Sequence, residues 1–116
     1  MSGPIKHIVM WRVRGETPEA RREARHRVKT AFEDLRGRIE GMTHVEVGMD
    51  ISDVDYACDV VLVTEFTDAN ALKNYASHPE HLRVREELGD LRIARHQVDY
   101  HIETSLPAGR EPADQG

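Results

Sequence analysis

The sequence predicts an α+β fold of the ferredoxin-like type, in the order strand, helix, strand, strand, helix, strand, on three observations. Four stretches either alternate apolar and polar residues or run apolar throughout, as strands do. Two others carry apolar residues at spacings of three and four behind capping signals, as helices do. The interleaving of the two kinds fits a four-stranded antiparallel sheet of order 4-1-3-2 with the helices on one face.

Residues 5–13, IKHIVMWRV, form the first strand, with Ile5, His7, Val9, Trp11 and Val13 on one face and Lys6, Ile8, Met10 and Arg12 on the other. Thr17-Pro18 supplies an N-cap and a proline at the first helical position. The helix it opens is expected to reach about Arg38, with Ala20, Ala24, Val28, Ala31, Phe32, Leu35 and Ile39 as its apolar stripe. Its charged face mixes signs, and pairs such as Glu23 with Arg27 support it by roughly 0.2–0.5 kcal/mol each. Gly41 ends that segment. Residues 43–51 alternate as a second strand, with Val45, Val47, Met49 and Ile51 on one side. Residues 59–66, DVVLVTEF, are the most apolar run and belong at the sheet's centre. Asp68 caps a second helix over 69–76. Pro79 has a locked φ and no N–H, so it stops that helix near Ser77 and opens a short one that Gly89 terminates. Residues 91–103 form the last strand, with Val98, Tyr100 and Ile102 opposite Asp99 and His101 in facing.

The 116 residues make one domain by length. Residues 5–103 are assigned to it, 1–4 to a flexible N-terminus, and 104–116, rich in proline, glycine and charge, to a disordered tail. No apolar run approaches the ~20 residues of a membrane helix, and MSGPIKH has no signal-peptide core, so a cytoplasmic location is expected. Cys58 stands alone, which excludes an intrachain disulfide. A net charge of −5 argues against a nucleic-acid partner. Asp50, Asp53 and Asp55 lack the central glycine and closing glutamate of a calcium loop. Helices on one face leave Ile8, Met10 and their neighbours bare on the other, an area a homodimer closed through the open sheet face would cover.

The stretch Tyr75-Ala76-Ser77-His78-Pro79-Glu80-His81 gathers a phenol, two imidazoles and a carboxylate in seven residues. His78 falls at the N-cap of the helix that Pro79 opens, and His81 lies three residues on. Capping and core filling account for these groups, and so does chemistry. Tyr75 suits a core, and His7 a strand end. A metal held by His78 and His81 with Glu80 or Asp99 lacks a third ligand at diagnostic spacing, so no metal is assigned.

The chain resembles the stress-responsive A/B barrel (Dabb) family of dimeric α+β barrels. The matching pieces are His7-Ile8-Val9-Met10-Trp11, Val45-Glu46-Val47-Gly48, Asp59 to Phe66, Tyr75 to His81 and Val98-Asp99-Tyr100, in order over residues 5–103. Trp11-Arg12 stands where the family has an aromatic–basic–aromatic end. The resemblance implies the dimeric barrel. One branch of the family resembles polyketide cyclases that close a ring by aldol chemistry without a cofactor. On that branch His81 would act as base, oriented by Asp99, Tyr75 would hydrogen-bond the substrate carbonyl, and His7 would line the pocket. His78 and Trp11 are the further candidates for substrate contact.

Two function classes follow. One is a cofactor-independent cyclase, isomerase or lyase using His81, Tyr75 and Asp99 on a small hydrophobic or polyketide-like ligand. The other is a non-catalytic, stress-associated homodimer that binds a small ligand, with the Asp99–His81 pair pinning the short helix to the sheet. Neither class calls for a metal or a cofactor.

Overall fold

The computed structural model describes residues 3–103. The tail expected over 104–116 and the first two residues of the expected flexible N-terminus lie outside these. Pro4, in contrast, is tied down, because its carbonyl accepts from the Ile102 N–H at 2.9 Å.

The strands are β1 (Ile5–Val13), β2 (Met42–Met49), β3 (Val60–Phe66) and β4 (Arg92–His101), and the helices α1 (Pro18–Glu33), α2 (Ala69–Ala76) and α3 (Pro79–Leu88). The sheet is antiparallel in the order β2-β3-β1-β4. This is the ferredoxin-like order read from the sequence. The alternation along β1 is literal, since Ile5, His7, Val9, Trp11 and Val13 are all buried under the helices. On the opposite face Met10, Val98 and Tyr100 are 38%, 52% and 45% exposed.

Helix α1 is shorter than its apolar stripe. It stops at Glu33, and the chain continues through tighter turns, Leu35 N–H to Phe32 O and Arg38 N–H to Leu35 O. Gly37, at φ +79°, takes the left-handed conformation that ends helices. Leu35 and Ile39 still reach the core, so the stripe records burial rather than helix length. No Glu23–Arg27 pair forms among the described residues. Arg25 instead grips the buried Asp59 carboxylate at 2.7 and 3.0 Å, and the other oxygen of Asp59 accepts from the Val13 N–H. That bond pattern fastens α1 to the sheet just ahead of β3, which begins at Val60.

The α2–α3 break follows the proline. Ser77 caps α2, His78 is the N-cap of α3, Pro79 occupies its first turn, and Gly89 at φ +52° ends it. Asp68 caps α2 by accepting from the Ala71 N–H at 2.8 Å. These caps fix the direction of α2, which lays Tyr75 against Phe66 of β3 at a ring separation of 5.1 Å.

Candidate functional site

A cavity of about 540 Å³ lies between the helix side of β1 and β4 and the helices α2 and α3. Trp11, His7, Tyr75 and His81 all line it. Trp11 forms the floor, 3% exposed and stacked on Phe32 at 5.0 Å with the rings 18° from parallel.

Tyr75 is the centre of the polar end. Its ring lies 4.3 Å from the His81 ring and 6.0 Å from that of His7. The residue is 3% exposed, yet its hydroxyl has no hydrogen-bond partner among the described residues and is not sealed from solvent. Burial pushes the phenol well above its ordinary range, against a weaker opposing pull from Arg92 and Arg95. It is therefore a neutral hydrogen-bond donor at any physiological pH.

The two imidazoles near it are each tied at Nδ1. His7, 6% exposed, bonds Asp99 Oδ1 at 2.5 Å. A carboxylate only accepts, so Nδ1 carries the proton and, in the neutral ring, Nε2 keeps the lone pair. His81 Nδ1–H donates to the Ala76 carbonyl at 3.2 Å, with the same consequence. Burial pulls the His81 pKa below the usual imidazole value. The Ala76 bond opposes this, and Arg85, Arg92 and His7 add to it. His81 is thus an uncharged base near neutral pH.

Asp99 does not orient His81, either as the base of a reaction or as a structural tie. Register decides the matter: His7 and Asp99 are direct partners across the β1–β4 pair and share the helix-facing side. Cross-strand neighbours of that kind sit about 5 Å apart at Cβ. His81 starts from the first turn of α3, where the end of α2 already holds its Nδ1. The second oxygen of Asp99 accepts from Gln97 at 3.0 Å. His78 does not join the cavity. Its Nδ1 accepts from the Glu80 N–H at 3.0 Å, which makes it a helix cap. Among the described residues no group of three or more His, Cys, Asp or Glu side chains is placed to hold a metal.

Three lining residues escaped the sequence reading: Arg85 on α3 and Arg92 and Arg95 on β4. Arg95 pairs with Trp11 and so faces the helices by simple alternation from Asp99. Arg92 does so only because the β1–β4 ladder slips between Arg12 and Val13. Ile93 is the extra residue, and Arg92 comes to lie opposite Val13. The Arg92 guanidinium then covers the Trp11 ring at 4.9 Å and the Phe32 ring at 5.6 Å.

Comparison with known proteins agrees with this architecture. A dimeric ferredoxin-like protein of unknown function from Bacteroides fragilis is 31% identical, with a TM-score of 0.75 over 86% of this chain and 97% of that one. The hydroxynitrile lyase of Passiflora edulis superposes with a TM-score of 0.72 over 90% of this chain and 98% of its own, but at 16% identity it shares the fold alone. An uncharacterised Streptomyces coelicolor protein is 41% identical over 51 residues, which are 44% of this chain and about half (53%) of that protein. The model of the stress responsive A/B barrel domain matches residues 5–102, all seven strands and helices included. The chain belongs to the stress-responsive A/B barrel domain family.

Proposed function

We propose that the protein is a cofactor-independent enzyme that moves a proton at a carbon beside a carbonyl group, the step shared by aldol-type cyclases, isomerases and lyases. One observation carries this reading: a phenol with no hydrogen-bond partner among the described residues stands beside two imidazoles that are both fixed at Nδ1. A carbonyl oxygen bonded to the Tyr75 hydroxyl would place its α-carbon beside an imidazole Nε2. His81 takes the proton, because its lowered pKa keeps it a free base. Tyr75 donates to the enolate oxygen as charge develops there, in a site partly cleared of water. Asp99 holds the His7 ring in one orientation at the side of the reaction. After the new bond forms, or at the γ-carbon of an isomerised product, the proton on His81 returns.

The test is proton-for-deuterium exchange at the α-carbon of 1,3-dicarbonyl compounds in D2O, followed by NMR. The wild type accelerates exchange, and Tyr75→Phe and His81→Gln each lose roughly 100-fold or more of that acceleration. Exchange at wild-type rate in both variants would sink the proposal. Binding without any exchange would favour the non-catalytic, ligand-carrying alternative.

The same reading has the chain act as a cytoplasmic homodimer closed through the open sheet face. Met10, Val98 and Tyr100 form an apolar patch there, and the Bacteroides fragilis relative is described as dimeric. A small hydrophobic or polyketide-like molecule suits the cavity's floor of Val9, Trp11, Phe32 and Leu62.

A further inference from the structure

Proton transfer leaves one end of the cavity unexplained. Arg85, Arg92 and Arg95 converge there from α3 and β4, and among the described residues no carboxylate lines the cavity. Among the described residues none of the three forms an ion pair, whereas Arg25 on α1 and Arg83 on α3 itself are both paired with acids. Exposed, solvated arginines need no partner, but Arg92 is only half exposed and carries two cations beside it. Burial, then Arg85 and Arg95, lower its pKa, so the group is held against its own charge. Packing on Trp11 and Phe32 fixes the plane of the guanidinium and leaves its N–H edges for a ligand.

We propose that the substrate is an organic acid whose carboxylate binds Arg92, with Arg85 and Arg95 completing the subsite. The rest of that acid lies in the same cavity, and its carbonyl reaches Tyr75. Only this last placement rests on the proton-transfer reading. A planar guanidinium edge matches a carboxylate with two parallel hydrogen bonds. Gly89, the C-cap of α3, also lines the cavity and brings the negative end of that helix to it, which opposes a phosphate dianion more strongly than a singly charged carboxylate.

The experiment is titration calorimetry with 2-naphthoate, its uncharged isostere 2-naphthamide, and inorganic phosphate. Naphthoate is expected to bind at least about tenfold more tightly than the amide, and more weakly as salt rises. Arg92→Gln removes most of that preference. Because Arg92 also packs on the core, Arg85→Gln and Arg95→Gln, which alter more exposed side chains, are measured with it and each reduce the preference. Equal binding of acid and amide, no binding of naphthoate by the wild type, or a preference unchanged in all three variants overturns the assignment. Tighter binding of phosphate than of naphthoate overturns the carboxylate in particular. Tyr75→Phe separates the two proposals: it keeps the naphthoate preference while losing exchange. A wild type that prefers naphthoate yet exchanges no carbon-bound proton retains the subsite and loses the catalytic reading.

Discussion

Tyr75 and His81 illustrate how position gives an ordinary side chain an unusual state. Replacing Tyr75 by Phe removes a hydroxyl that bonds nothing within the described chain, while the ring keeps its contact with Phe66. The expected cost to stability is within about 0.5 kcal/mol, so a loss of exchange in that variant reports chemistry rather than unfolding. His81 behaves differently. Its folded pKa is lower than the ordinary 6.5, chiefly through burial, so the unfolded chain takes up the proton first as pH falls. Its contribution to stability is therefore whole above about pH 6.5 and declines as the pH drops toward the lowered folded value, where the loss levels off. Urea unfolding at about pH 8 and about pH 5 checks this. His81→Gln should lose less stability between the two than the wild type does. Identical losses would mean that His81 is not held neutral.

Capping and alternation are local, and they explain why the sequence spelled out the elements well. Thr17-Pro18, Asp68 and Pro79 mark helix starts whose bonds the structure contains, and the two faces of β1 follow from its odd and even residues. The site was legible only in part. His7, Trp11, Tyr75 and His81 do meet at one cavity, but Asp99 was assigned to the wrong imidazole because cross-strand register is not a property of either strand alone. Arg92 was hidden for a sharper reason: a one-residue slip near Ile93 overrides the period of two on which any facing argument depends. Gly41 shows the same non-local control. It sits at φ +86°, and a Cβ there would come within 2.6 Å of the Ala71 Cβ on α2. Gly41→Ala should therefore destabilise by roughly 3 kcal/mol, from left-handed strain and overpacking together, as measured by urea unfolding. A change below about 0.5 kcal/mol would show that α2 moves aside at little cost.

Among the described residues no helix is long and apolar enough to cross a membrane. The face without helices makes its own prediction. In the proposed dimer a carboxylate placed there by Val98→Asp would be desolvated, so light scattering is expected to report a monomer for the variant and a dimer for the wild type. A variant that remains dimeric would move the interface elsewhere. Changes to Arg85 or Arg95, on the other side of the sheet, should leave the oligomeric state as it is. The His7–Asp99 bond has a consequence in time as well. It joins the first strand to the last across 92 positions of sequence. During synthesis β4 is the last of the strands to be made and the last to leave the ribosome. Until β4 pairs with β1, His7 lacks its carboxylate and the cavity lacks Arg92 and Arg95. Whatever ligand the cavity takes, the newborn chain remains blind to it until its final strand is released.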